Sequence, residues 1–188
     1  MHYKNIINTY HATTEQEIND IALMKQFIDA HDNALLRSNL IGHITSSVFI
    51  LNEQKDKVLM GYHNIYQSWG WFGGHNDGDP DCYRVALKEA EEETGLNDFT
   101  LGCEGAIGMD VILVHNHIKH GVFVPDHLHL NITYGLFAKE TDEVSHNERE
   151  HSGIAWFPID TFLNHVKEER MKPIYTKLLN RMLTCAVE

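Results

Sequence analysis

The chain has 188 residues, with 27 acidic and 15 basic side chains, 14 histidines and a formal net charge of −12. This length suits one domain, residues 1–188, with a sizeable core, and an apolar content of 43% is that of a globular protein. The charge balance argues against a sequence-independent grip on nucleic acid, which needs clustered Lys and Arg, and the apolar runs are too short for a membrane span.

Met1 to Asn5 is followed by no apolar core of a signal peptide. Cys82, Cys103 and Cys185 are few, odd in number and without metal-ligand spacing, which points to free thiols and a cytoplasmic location. Thr14 and Glu17 form a capping box ahead of Ile18, Ile21, Ala22, Phe27 and Ile28. This predicts a helix ending near His31, with a short helical piece from Asp32 to Asn39. Residues 1–40 thus form a helical extension, and residues 41–188 the core with C-terminal helices. The extension's apolar stripe is expected to pack on the core or on a second subunit, and a substrate-capping role stays open.

His43 to Leu51 reads as a strand rich in β-branched residues, and Lys57 to Tyr62 returns as its hairpin partner. Trp69 to Phe72 is a short strand leading to Gly73 and Gly74. A helix follows from Pro80 to Thr94, with Asp79 as N-cap, Pro80 as first residue and Gly95 as the stop. Phe99 to Gly108 and Met109 to Val114 read as extended chain interrupted by glycines. His115 to Asp126 reads as a polar loop, His127 to Ala138 as a long alternating strand, and Lys139 to His151 as an acidic loop. Ile154 to Phe157 is a short strand, Pro158 opens a helix to about Val166, and Pro173 opens the last helix. Strands, a helix, more strands and C-terminal helices fit an α/β class, with a mixed sheet between helical layers.

Within the central helix, Glu89, Glu92 and Glu93 stand at i, i+3 and i+4, so three carboxylates share one face. Their repulsion is relieved by a divalent cation, and a hard oxygen-rich site suits Mg²⁺ or Mn²⁺. A Glu-rich helix is also an ordinary solvated face. The flanking glycines favour the metal.

The segment Gly74 to Leu96 resembles the Nudix box, G-x5-E-x7-R-E-U-x-E-E-x-G-U, where U is aliphatic. Gly74, Glu89, Glu92, Glu93, Gly95 and Leu96 match it, Ala90 takes the first aliphatic place, and Pro80 and Lys88 stand where the family has Glu and Arg. The resemblance covers roughly His43 to Val166 and implies a Nudix-like α/β/α sandwich. It implies an enzyme that cleaves a diphosphate linkage in a nucleoside diphosphate derivative by water attack on phosphorus. Glu89, Glu92, Glu93 and the Gly74 carbonyl would hold Mg²⁺ or Mn²⁺. Glu92, Glu93 or a loop glutamate, Glu148 ahead of Glu150, would be the base. Both departures fall on the family's Glu–Arg brace; Lys offers a point charge in place of the fork, and Asp79 or Asp81 stands near the lost carboxylate.

On the strand from His127, residues His127, His129 and Asn131 share one face and Leu128, Leu130 and Ile132 the other. With His75 and Lys88 they are candidate substrate contacts. Three readings of the histidines stay open: solvent-facing strand residues, contacts to phosphate or base, or a second metal site for an ion such as Zn²⁺, with a third ligand unnamed. Trp69, Trp71 and Phe72 are core aromatics or a base platform. A non-catalytic nucleotide sensor and an isoprenoid diphosphate isomerase, with Cys103 as the only mid-sheet candidate for its reactive thiol, are the alternatives. A homodimer stays open.

Overall fold

The computed structural model describes residues 2–119, 121–145 and 151–185. Its elements in order are α1 (Tyr3–Thr9), α2 (Glu15–Ala30), β1 (Gly42–Asn52), β2 (Lys57–His63), β3 (Ser68–Gly70), β4 (Phe72–His75), α3 (Cys82–Thr94), β5 (Thr100–Val114), β6 (His117–Lys119), β7 (Val122–Val124), β8 (His127–Ala138), β9 (His151–Pro158) and α4 (Met171–Thr184). A single 3-10 turn, Phe162–Asn164, stands among the described residues where a longer helix from Pro158 is expected.

Among the described residues, seven strands form one mixed sheet along the path β3-β2-β1-β8-β5, with β4 also on β1 and β9 also on β2. The centre is the parallel pair β1 and β8, in register from Gly42 opposite Leu128 to Asn52 opposite Ala138. All eleven residues of β1 are buried, as a central strand covered on both faces requires. β1 is longer than either β2 or β4, so these two strands share its other edge. β4 pairs with Thr45 to Val48, and β2 pairs with Ile50 and Leu51.

Side chains alternate between two cores. Ile44, Val48, Ile50, Leu130, Ile132 and Leu136 face α1, α2 and α3, whereas Phe49, Leu51, Val58, Met60 and Phe137 face α4. The layers are therefore helix, sheet and helix. β5 runs unbroken through the glycines that suggested an interruption. Its register shifts lie between Leu101 and Gly108, and Gly102 and Gly108 lie against Met182 and Leu178 of α4. A Cβ on Gly102 would lie 2.5 Å from the Met182 Cε, and one on Gly135 of β8 would overlap the Met182 sulfur. Bare backbone at these two positions leaves the end of the Met182 side chain its room against the sheet.

Several boundaries move. Asp81, not Asp79, caps α3 and accepts the Arg84 N–H at 3.3 Å. Residues 32–39 form turns rather than a helix, and His117 to Val124 forms a small hairpin, β6 with β7. α1 is an element that the apolar pattern did not reveal. Thr14 does cap α2, but Ile18 points outward at 58% exposure. Glu17 turns inward instead of closing the capping box on Thr14.

The cysteine expectation is corrected. Cys103 on β5 and Cys185 at the end of α4 form a disulfide across 82 residues, and Cys82 is the free, buried thiol. The docking of α4 on β5 makes this pair, which no local spacing announces, and the argument from free thiols to a reducing compartment loses its basis. Burial pushes the Cys82 thiol pKa up against hydrogen bonds from Ser46 and Asn76, so it is a packed group rather than an activated one. Reduction is expected to lower unfolding stability by about 2–4 kcal/mol, read as a fall in the denaturant midpoint that Cys185→Ser reproduces without reductant. No helix of the described residues is long and apolar enough to cross a membrane.

Candidate active site

β4 brings the glycine pair against β1, with Gly73 opposite Ser47, Gly74 opposite Ser46 and His75 opposite Thr45. α3 follows within a few residues and lays its carboxylates over this pair. Glu93 is buried, and its Oε2 accepts the Gly73 N–H at 2.8 Å. Its other oxygen lies 3.9 Å from the His151 Nδ1. Glu89 covers Gly74 so closely that a Cβ there would fall 2.5–2.7 Å from its carboxylate atoms. Glu92, one turn of helix from Lys88, is exposed and pairs with the Lys88 Nζ at 3.1 Å. Lys88 thus meets Glu92 rather than standing solely beside Glu89.

The glycine at 74 is a requirement of this packing. Gly74→Ala is expected to displace Glu89 and cut turnover by about 100-fold, with little change in melting temperature. Equal turnover in the variant would sever Glu89 from the reaction.

Both departures from the box have local partners. The Pro80 carbonyl accepts the Tyr3 N–H at 2.9 Å, so this position docks α1. Asp79 is gripped by the Arg84 guanidinium at 2.7–3.0 Å, which holds its carboxyl below the usual range, and Asp81 caps the helix. Neither aspartate takes the place of the missing glutamate beside Glu89 through these contacts.

A cavity of about 670 Å³ opens beside the helix carboxylates, within the size of a small-molecule site. Arg37, Asn39 and Leu40, from the segment after α2, form part of its wall, so the N-terminal extension packs on the core and also shapes the cavity. Tyr66 and Trp71 add aromatic surface, and Arg37 holds Asp77 through a two-pronged ion pair at 2.5–2.7 Å. Phe72 is buried in the core, and Trp69 packs edge-on against Phe157 and Tyr62.

The histidine row lies in the same cavity. His129 stands opposite His43 in the β1–β8 register, and Asn131 stands opposite Thr45. Asn131 is buried: its oxygen accepts the Thr45 and Ser47 hydroxyls at 2.9 and 2.8 Å, and its amide donates to Thr133 at 2.9 Å. It braces the strands at the cavity wall. Burial, then His75, His43 and His127 around it, pushes the His129 imidazole well below its ordinary pKa, so that ring is neutral at pH 7.

Sequence reasoning did not single out His43 or His151. Both depend on strand pairing: His43 meets His129 only through a parallel partner 86 residues away, and His151 reaches Glu93 only when β9 joins β2. Glu148, Glu150 and His120 lie outside the described residues.

A carboxylate-bearing helix packed on a glycine pair, inside a three-layer α/β fold, is the arrangement of a Nudix-type pyrophosphohydrolase. The chain belongs to the Nudix family: the family model described as NUDIX domain matches residues 42–178. Among solved structures, it is similar to a NUDIX-family hydrolase from Clostridium perfringens, at 25% identity and a TM-score of 0.53, covering 73% of this chain and 96% of the other. It also resembles the E. coli dihydroneopterin triphosphate pyrophosphohydrolase at 14% identity (TM-score 0.56, 73% and 94% covered). A C. elegans Ap4A hydrolase is similar in fold at 14% identity (TM-score 0.53, 76% and 98% covered). The last two likenesses are of fold alone. No curated protein matches the chain significantly.

Proposed function

We propose that the protein hydrolyses a diphosphate linkage in a nucleoside diphosphate derivative, using Mg²⁺ or Mn²⁺ held by Glu89, Glu92, Glu93 and the Gly74 carbonyl. The observation that carries this reading is the buried Glu93 carboxylate fixed on the Gly73 N–H, with Glu89 pressed on Gly74 at the edge of the cavity. An all-oxygen donor set of carboxylates and a carbonyl fits a hard divalent ion. The similar solved structures that act on Ap4A and dihydroneopterin triphosphate agree with a phosphoanhydride substrate.

The ion supplies neutralising charge to the phosphates and acidity to water. The protein's own groups do the rest. The Gly73 N–H fixes the orientation of Glu93, so this carboxylate needs no rearrangement to receive charge or a proton. Lys88 pairs with Glu92 across one turn and holds that carboxylate at the cavity rim. The proton leaving the attacking water goes to Glu92, Glu93 or Glu148. The nucleoside part lies against the aromatic and polar cavity wall formed by Tyr66, Trp71 and Arg37, with Lys88 and His127 as further contacts to its phosphates.

The test is release of phosphate or nucleoside monophosphate from a panel of nucleoside diphosphate derivatives, with Mg²⁺ and with Mn²⁺, beside Glu93→Gln. Metal-dependent turnover that the variant lacks is expected. A nucleotide that raises the melting temperature with no turnover across the panel would replace this reading with a sensor.

A further inference from the structure

We infer that His43, His75 and His129 form a second metal site in the same cavity, selective for a borderline transition ion such as Zn²⁺ over Mg²⁺. Three strands build it. β1 and β8 place His43 directly opposite His129, and β4 carries His75 to the neighbouring edge of β1. One ring nitrogen from each of the three lies within 4.8 Å of the others. The ring centroids are 4.8 Å apart for His43 and His75, 5.1 Å for His43 and His129, and 4.9 Å for His75 and His129.

The surrounding hydrogen bonds prepare the rings as ligands. The His43 Nδ1 lies 3.3 Å from the Asn39 carbonyl, which only accepts, so Nδ1 carries the proton. That leaves a lone pair on Nε2, a buried atom with no hydrogen-bond partner on a ring only 4% exposed. A buried polar atom left this way is costly unless something occupies it. A backbone carbonyl on the far nitrogen is also the usual way a protein orients a histidine ligand. The same logic runs through His127. Its Nδ1 faces the Pro125 carbonyl at 2.8 Å, so its Nε2 accepts the His129 Nε2–H at 3.2 Å and leaves the lone pair of His129 on Nδ1.

The donor set decides the ion. Three imidazoles suit Zn²⁺ and its neighbours, whereas Mg²⁺ prefers oxygen. Tetrahedral Zn–N bonds of about 2.0–2.1 Å need nitrogens about 3.3 Å apart, so the rings close by at most about 1.5 Å on loading. All three residues line the cavity. An ion they hold keeps a fourth position for water or an anionic oxygen, as in open zinc sites. This site is separate in residues and in donor chemistry from the carboxylates of α3, and it stands whether or not the chain hydrolyses diphosphates.

The test uses untagged full-length protein in excess Mg²⁺, titrated with Zn²⁺ against a chromophoric chelator, with Co²⁺ as the spectroscopic probe. One equivalent of Zn²⁺ is expected to bind, and Co²⁺ to show the visible bands of a four-coordinate nitrogen site. His129→Gln and His75→Ala should each weaken binding by at least about 100-fold, more than loss of a supporting partner alone causes. Glu93→Gln should bind Zn²⁺ as the parent does. If His129→Gln fails to fold, His75→Ala on the cavity wall carries the comparison. Absence of Zn²⁺ binding by the folded parent, parent-like binding in a folded histidine variant, or equal loss in Glu93→Gln would each overturn the assignment.

Discussion

Glu93→Gln is expected to lower kcat by about a thousandfold, roughly 4 kcal/mol of transition-state stabilisation, while the melting temperature moves little. Glutamine has the size of glutamate and retains an oxygen to accept the Gly73 N–H that now lies 2.8 Å from Oε2. What it loses is the charge that would hold a divalent ion and receive a proton. Steady-state kinetics with Mg²⁺ held saturating, together with circular dichroism, separate the two effects. Unchanged kcat would remove Glu93 from the reaction and leave Glu89 and Glu92 to carry the metal reading. Glu92→Gln should also lose turnover, but Glu92 is exposed and already shared with Lys88, so its loss tests that carboxylate without disturbing the buried one.

The largest effect on stability is expected at Glu17, far from the α3 carboxylates in sequence. This buried carboxylate meets Arg181 at 2.6 Å and Lys177 at 3.1 Å, and Lys177 also holds the buried Asp110 at 2.5 Å. Arg181 donates in addition to the Ile107 carbonyl and the Tyr10 hydroxyl. The network ties α2 to α4 across the edge of β5. Glu17→Ala leaves two cations facing a low-dielectric interior without that partner, and a loss of about 3–5 kcal/mol is expected in denaturant unfolding.

The pH dependence has a definite sign. Burial alone would raise the Glu17 pKa, but hydrogen bonds from Arg181 and the charge of Lys177 outweigh it and bring it down from 4.5 to about 2. A carboxyl whose pKa is lower folded than unfolded adds stability above its unfolded value. That contribution is lost as pH falls from about 4.5 towards about 2. The stability difference between the parent and Glu17→Gln should therefore be full at neutral pH and shrink through that window. A difference independent of pH would mean that packing, not charge, holds α2 in place.

The local signals of the chain survive folding where their causes are local. The positive-φ Gly95 ends α3 at 72°, Thr14 caps α2, and the alternation from His127 to Ala138 gives β8 the same two ends as the sequence reading. The hairpin β1–β2 closes where the polar residues 52–56 separate two apolar runs. The shared face of Glu89, Glu92 and Glu93 follows from helical periodicity alone, and so does the family resemblance that rests on their spacing.

Other readings fail for physical reasons that no local window contains. Glu17 looks like the reciprocal half of a capping box, yet two cations from α4 draw it into the interior. Gly102 and Gly108 of β5 look like breaks in a strand but lie where Met182 and Leu178 of α4 approach the sheet. Cys103 and Cys185 look unpaired until α4 crosses β5.

The sequence by itself determined the carboxylate-bearing helix, its carboxylate spacing, its glycine partner and the two departures at Pro80 and Lys88, because helix geometry converts residue spacing directly into a common face. Only the tertiary structure decided which carboxylate is buried on the Gly73 N–H and that Pro80 docks α1. It alone placed His43 beside His75 and His129, because a parallel strand pairing joins residues far apart in the chain, and its register is set by core packing rather than by any neighbouring turn.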